Sequence, residues 1–166
     1  MRDMNDIIND KILELQCSLG NIDKVRTILE SDEDIDIHIM DEAPFVWSCE
    51  NGHLEIVKLL IEYSNNNNDP IDIDIGFNTG FVNACQTGTI NIVKYLLEYC
   101  NENKIKLDMN TAVMNACKSV DSKVIDYLYE YYTSPNIQFN EIKNVTIDKH
   151  NSKDKIGKFI KYFVYG

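Results

Sequence analysis

The residues of this 166-residue chain that could do covalent or metal chemistry are five cysteines and three histidines. A cysteine nucleophile needs solvent exposure and a neighbouring base, and a structural zinc site needs close pairs such as Cys-x-x-Cys. The sequence shows no such pair: Cys17, Cys49, Cys85 and Cys117 are spaced 32, 36 and 32 residues apart. The histidines fall in three different segments, and no glycine-rich phosphate loop is present. The sequence therefore predicts a protein that is not an enzyme and that holds no metal or cofactor.

The regular spacing of the four cysteines marks an internal repeat. Each begins a stretch that reads Cys-x-x-Gly-x-x-x-x-Val-x-x-Leu, or close to it. A period of roughly 30 to 40 residues is typical of solenoids, in which each unit buries its apolar face against its neighbours. We expect these cysteines to be reduced core residues in separate layers, because a disulfide needs Cα atoms within about 7 Å. Cys100 falls outside the pattern, and we expect it to be more exposed.

Residues 41–63 show how one unit is built. Pro44 lies where the first turn of a helix tolerates a missing N–H, and Gly52 supplies the left-handed turn that ends this short helix. A longer helix with an apolar stripe follows. Alternating polar and apolar residues at 32–38 and 71–75 predict extended, half-buried links between units. In the fourth unit Val120 replaces the turn glycine, so Asp121 or Ser122 is expected to cap the second helix.

The run Gly-His-Leu-Glu-Ile-Val-Lys-Leu-Leu-Ile at residues 52–61 resembles the second half of an ankyrin repeat, and residues 13–29, 79–98 and 111–130 are weaker copies. The resemblance implies an all-α, ankyrin-type solenoid of stacked antiparallel helix pairs with β-turn fingers. In a single domain over 1–166 we expect repeats at 1–34, 35–70, 71–106 and 107–135, and a degenerate capping repeat at 136–166. The family histidine that ties neighbouring repeats is replaced by Val46, Val82 and Met114, so packing is expected to hold the stack.

The two ends of a solenoid need one solvated face each. In the first helix we expect a solvated acidic side, with Asp3, Asp6, Asp10 and Glu14, and a buried apolar side, with Ile8, Ile12 and Leu15. Residues 153–164 combine an apolar stripe with lysines. They are interpreted either as a C-terminal cap or as a basic amphipathic helix at a membrane surface.

The charge of the chain is unevenly distributed, with a net −14 over residues 1–135 and +3 over residues 136–166. This acidity argues against nucleic acid as a partner, and it either favours a protein with a basic surface or serves solubility. No apolar run is long enough for a membrane helix, and the charged first residues do not resemble a secretory signal. We therefore expect an intracellular, cytoplasmic protein.

The resemblance to the ankyrin family also implies where a partner binds, namely in a concave groove lined by the short inner helices and the fingers. On the inner helices the candidate residues are Trp47, Glu50, Asn51, Asn83, Gln86, Thr87, Asn115, Lys118 and Ser119. On the fingers they are Asp34, Asp36, Asp41, Glu42, Asp72 and Asp74. Trp47, the single tryptophan, is either a binding hot spot or a side chain packed between layers.

Two functional hypotheses follow. The first is a monomeric, non-catalytic module that binds a protein partner through this groove. The pairing of Cys with Ala and the linkers rich in Asn and Ile resemble ankyrin proteins of giant viruses that infect amoebae, which implies an adaptor that engages a host factor in the host cytoplasm. The alternative is a structural subunit that self-associates into a larger assembly.

Overall fold

The computed structural model describes residues 4–31, 34–119 and 123–133, together with Gly157. Four helix pairs follow one another along these ranges: α1 Met4–Leu19 and α2 Ile22–Leu29, α3 Ile39–Glu50 and α4 Leu54–Asn66, α5 Asn78–Thr87 and α6 Ile90–Glu102, and α7 Met109–Ala116 and α8 Lys123–Thr133. A π-helical turn, Ile73–Phe77, precedes α5. Over this part of the chain the regular structure is helical throughout, without a β-strand.

The helix pairs form two layers. The first helices of the pairs, α1, α3, α5 and α7, pack side by side in that order and form the inner layer. The second helices form the outer layer, where Asn65 Nδ2 on α4 donates to Tyr99 Oη on α6 at 3.1 Å. A single apolar core runs through all pairs, and four equivalent inner-helix residues are fully buried in it: Leu13, Phe45, Phe81 and Val113. The predicted all-α solenoid of stacked antiparallel helix pairs is confirmed.

Polar contacts as well as packing join the repeats. Gly52 ends α3 with φ +79°, and the next residue, His53, places Nε2 3.0 Å from the carbonyl oxygen of Ser18 in the preceding repeat. Thr89 follows Gly88 in the same way and donates from Oγ1 to the carbonyl of Cys49 at 3.2 Å. The prediction that packing holds the stack without such ties is therefore wrong. The ties lie at the turn instead of at the family's histidine position.

A second set of bonds holds each finger to the inner helix of the repeat before it. The acceptor is a side chain seven residues before the repeat cysteine, and the donor is a backbone N–H in the next finger. The three bonds are Asp36 N–H to Asp10 Oδ1 (2.9 Å), Asp72 N–H to Glu42 Oε1 (2.8 Å) and Asp108 N–H to Asn78 Oδ1 (2.7 Å). These bonds fix the fingers relative to the inner layer.

The link before α5 differs from the predicted extended segment. The link at 71–75 runs into the π-helical turn Ile73–Phe77, and a side chain at Gly76 would collide with Ile71. In the first residues of α3 the backbone is left-handed over residues 40–42, with φ between 49° and 65°. Regular helix begins after these residues, so that Pro44 lies in its first turn as predicted.

The cysteines follow the repeat pattern in part. Cys17, Cys49 and Cys85 are buried as predicted, and burial raises the pKa of the Cys17 thiol to about 12. Cys117 is exposed, contrary to the prediction, because α7 ends at Ala116 and the cysteine lies just beyond it. Cys100 was expected to be more exposed but is buried, since it lies four residues after Leu96 on the buried stripe of α6.

The orientation of α1 is the reverse of the prediction. Ile8, Ile12 and Leu15 are 49%, 40% and 53% exposed, whereas Asp10 is only 3% exposed. The helix turns Leu13 into the core, and this brings the Asp10 carboxylate onto the backbone of the next finger. The predicted caps at Asp121 or Ser122 lie outside the described residues, and so does the predicted C-terminal repeat at 136–166, including residues 153–164, apart from Gly157.

Candidate functional site

The candidate site is the exposed face of the inner helices together with the fingers beside it. Trp47 lies on this face of α3 with 40% of its surface exposed. Its carbonyl oxygen accepts from Asn51 Nδ2 at 2.9 Å, and Glu50 lies one turn further along the same face. An indole that is neither buried nor fully solvated offers a large apolar area with a polar edge.

The face continues from α3 onto α5 through a direct contact. Asn83 Nδ2 donates to Glu50 Oε2 at 3.0 Å, which holds the carboxylate at the boundary between two repeats. Asn83 and Asn115 occupy the position equivalent to Trp47, and both are half-buried. Asn115 donates from Nδ2 to the carbonyl of Thr111 at 2.9 Å on its own helix.

The remaining predicted residues of the inner helices lie at the ends of α5 and α7. Gln86, Thr87 and Lys118 are exposed, and Ser119 is half-buried. Thr87 Oγ1 donates to the carbonyl of Asn83 at 3.0 Å. The structure thus places all nine predicted inner-helix residues at or near the surface of α3, α5 and α7, at equivalent positions of successive repeats.

The predicted finger acids fall into two groups. Asp34, Asp41, Asp72 and Asp74 are exposed, and Asp36 is half-buried. Glu42, by contrast, is only 3% exposed and does not belong to an acidic rim. The left-handed backbone at residues 40–42 turns its side chain inward, where Oε1 accepts the N–H of Asp72. Its role is to position the next finger.

The sequence did not predict that His38 and nearby carboxylates form a cluster beside the buried Glu42. His38 Nδ1 is 2.8 Å from Glu42 Oε1, and His38 Nε2 is 3.2 Å from Asp69 Oδ2. Burial of the ring lowers the pKa of His38, but the hydrogen bond to Glu42 and the charges of Glu42, Asp69 and Asp36 outweigh burial and raise it. The i, i+4 spacing of His38 and Glu42 was the only signal of this pair in the sequence.

A set of exposed apolar side chains was also missed, apart from Trp47. Ten large apolar residues are exposed in the described part of the chain, and eight of them lie on the first two inner helices. They are Met4, Ile7, Ile8, Ile12, Leu15 and Leu19 on α1, and Met40 and Trp47 on α3. Contiguous exposed apolar surface of this kind marks contact sites in soluble proteins.

Within the described ranges, no three His, Cys, Asp or Glu side chains are grouped so that they could hold a metal ion. None of the helices described is both long and apolar enough to cross a membrane. The chemistry that this surface offers is non-covalent: an indole, amides, carboxylates and apolar side chains.

Family models match most of the described chain. A model of three ankyrin repeat copies matches residues 71–139, and a model of a single ankyrin repeat matches residues 40–73. No curated protein and no solved structure matches the chain. The two family matches together cover residues 40–139, which is more than half of the sequence, and they coincide with the helix pairs from α3 to α8. The chain belongs to the ankyrin repeat family.

Proposed function

We propose that this protein is a non-catalytic module that binds a protein partner through the inner helices and fingers. Ankyrin repeats generally mediate protein–protein interaction. The observation that carries the proposal for this chain is the exposed Trp47 beside Glu50, whose carboxylate is held by Asn83 of the next repeat. A rigid aromatic side chain next to a fixed polar group is typical of binding hot spots.

The partner has a basic surface. Four finger acids, Asp34, Asp41, Asp72 and Asp74, are exposed, and hydrogen bonds join the fingers to the inner helices. The chain carries a net charge of −11, which accelerates encounter with a positively charged surface and disfavours phosphate backbones. We therefore expect capture of the partner to weaken as the salt concentration rises.

The groups that could act as nucleophiles support a non-catalytic role. Burial raises the pKa of the Cys17 and Cys100 thiols to about 12, so both remain protonated at neutral pH. Cys117 is exposed, but its nearest described charged neighbour along the chain is Lys118 and no histidine lies in α7. His38 contacts two carboxylates, an arrangement that fixes a ring and a finger.

Affinity capture from cell lysate followed by mass spectrometry tests the proposal. Trp47→Ala combined with Glu50→Lys is expected to reduce recovery of the specific partner at least about tenfold, the loss typical of removing a hot spot. Glu62→Lys is the matched control, because Glu62 is exposed on the outer helix α4 and the charge change is the same. Equal recovery by both variants would show that the site lies elsewhere.

We further propose that the chain acts as a monomer. Its strong negative charge opposes self-association, whereas its exposed apolar residues on α1 are the feature that favours the alternative, a structural subunit that self-assembles. Size-exclusion chromatography with light scattering distinguishes the two, because a defined oligomer at micromolar concentration would support the structural subunit.

We also propose that the partner is a host factor and that the protein is a viral adaptor. Support comes from the Ala-Cys pairs of the inner helices and the Asn-rich segment at residues 65–68, which resemble giant-virus ankyrin proteins. Capture from an amoebal lysate, compared with capture from an unrelated eukaryotic lysate, tests this proposal. Recovery of the same abundant proteins from both lysates would contradict it.

A further inference from the structure

The exposed apolar residues of α1 form one continuous stripe. Ile8, Ile12, Leu15 and Leu19 follow each other at intervals of four, three and four residues, and therefore lie on one face of the helix. Leu19 is the most exposed of the four, at 59%. We call these four residues the α1 stripe. The opposite side of α1 packs into the core through Leu13 and Cys17.

The α1 stripe includes a position that is buried in every other inner helix. This position lies five residues before the repeat cysteine and holds Pro44, Gly80 and Ala112 in α3, α5 and α7, all buried. At Gly80 an added Cβ would lie only 3.0 Å from Cys49 Sγ on α3. The equivalent residue of α1 is Ile12, which is exposed. The face around Ile12 thus corresponds to a helix-packing surface.

The side chains of the stripe do not suit another repeat of this solenoid. The buried residues at this position, Pro44, Gly80 and Ala112, are all smaller than Ile12, and at Gly80 even an added Cβ would be only 3.0 Å from α3. Branched side chains at intervals of three and four residues instead form ridges, which pack into the grooves of a helix at ordinary interaxial distances of about 8–10 Å. The shape of the surface therefore favours a separate helix.

The net negative charge of the chain selects among possible helices. Residues 1–50 contain thirteen acidic and four basic side chains, a net charge of −9. The body of a second copy, residues 1–135, would bring a net charge of −14 to the contact, and an anionic membrane surface would be repelled in the same way. A helix with Lys or Arg beside its apolar stripe is attracted by this charge and matches the apolar surface.

We propose that the α1 stripe is the docking site for a basic amphipathic helix of a partner protein. The inference deepens the proposed function, on which it rests, by naming the class of partner element. Leu15 and Trp47 occupy equivalent positions on the adjacent helices α1 and α3, and Lys11 Nζ on α1 contacts Met40 Sδ at the start of α3. The apolar surface therefore continues from the stripe to the face that carries Trp47.

A synthetic peptide tests this site without knowledge of the natural partner. The probe is a fluorescein-labelled 18-residue peptide of Leu and Lys, with Leu at helical spacing. A peptide of the same composition with alternating Leu and Lys is the matched control. By fluorescence anisotropy we expect the helical peptide to bind at least tenfold more tightly than the control. Ile12→Ser combined with Leu15→Ser should weaken its binding at least tenfold.

The matched protein control is Ile75→Ser combined with Met114→Ser, which removes exposed apolar residues from other elements. We expect this control to bind the peptide within twofold of the unchanged protein. Circular dichroism checks that both double variants are folded. Equal effects of the two variants, equal binding of the two peptides, or equal binding of a Leu and Glu peptide would overturn the proposal.

Two further measurements distinguish a second copy on the stripe from a partner helix, and the stripe from the Trp47 face. A dimer that Ile12→Ser and Leu15→Ser dissociate, detected by light scattering, would show that a second copy covers the stripe and would overturn the proposal. Normal peptide binding by the Trp47→Ala and Glu50→Lys variant, together with undiminished partner capture, would support the stripe while contradicting the proposed role of the Trp47 face.

Discussion

Glu42 Oε1 accepts the backbone N–H of Asp72 at 2.8 Å, and this bond joins the start of one inner helix to the finger that precedes the next. The same oxygen lies 2.8 Å from His38 Nδ1, so a single buried carboxylate holds both the His38 ring and the backbone of the next finger. Asp10 and Asn78 make the equivalent finger bonds in the neighbouring repeats. The position of each finger therefore depends on one side chain of the preceding repeat.

We expect Glu42→Ala to lower the free energy of unfolding by about 1–3 kcal/mol, because the variant leaves the N–H of Asp72 and the ring of His38 without this acceptor. Urea denaturation followed by circular dichroism measures the change. Asp74→Ala, in an exposed finger acid, is the control and should stay within about 0.5 kcal/mol of the unchanged protein. Equal stability of the two variants would show that the Glu42 bond does not hold the finger.

The His38 cluster predicts a pH dependence of stability. The folded-state pKa of His38 is raised above its ordinary value of 6.5 by Glu42, Asp69 and Asp36, although burial opposes this. Because its folded-state pKa is raised, His38 contributes its full stabilisation below pH 6.5. This stabilisation is lost as the pH rises through the folded-state pKa. We therefore expect the free energy of unfolding to fall as the pH is raised above 6.5.

Urea denaturation at a series of pH values measures this fall, and His38→Gln is the comparison. The variant should lose the part of the pH dependence that His38 contributes, because glutamine does not titrate in this range. His53 and His150 remain in both proteins and cancel in the difference. Identical pH profiles of the two proteins would contradict the role assigned to the cluster.

A charge placed between layers should be far more disruptive than the same charge just beyond α7. Cys85 is fully buried, so Cys85→Asp forces a carboxylate into an apolar core and should cost at least about 3 kcal/mol. Cys117→Asp makes the identical change at an exposed position and should cost less than about 1 kcal/mol. Thermal denaturation of both variants measures the contrast, and comparable losses would show that the two cysteines share one environment.

Trp47 and Phe45 lie two residues apart on α3 but differ in burial. Trp47→Ala should change the free energy of unfolding by less than about 2 kcal/mol, because 40% of the side chain is already exposed. Phe45→Ala should cost about 3–5 kcal/mol, because this ring is fully buried and packs against Phe77 with centroids 5.2 Å apart. A loss for Trp47→Ala as large as that for Phe45→Ala would assign Trp47 to the core.

The sequence predicted the helices and buried positions that repeat, but it did not predict the polar contacts between repeats. The recurrence of Cys17, Cys49 and Cys85 located the core of three inner helices, because equivalent residues meet equivalent surroundings in a stack. Cys117 has no turn glycine three residues after it, and the repeat pattern could not show that its helix ends earlier.

The orientation of α1 could not be predicted from periodicity. This helix carries apolar residues on two faces, one with Leu13 and Cys17 and the other with Ile8, Ile12 and Leu15. The structure buries the face with Leu13 and Cys17, and this brings Asp10 onto the N–H of Asp36, 26 residues away. The inward turn of Glu42 has a similar origin, because it depends on a partner 30 residues further along the chain.

The three finger bonds all point the same way, with the acceptor in the earlier repeat and the donor in the later one. Unfolding that starts at α8 therefore removes donors and leaves the remaining fingers anchored. Unfolding that starts at α1 removes an acceptor and releases the finger of a repeat that is still folded. Loss of the first helix pair is therefore expected to free a finger of a folded repeat, whereas loss of the last pair frees none.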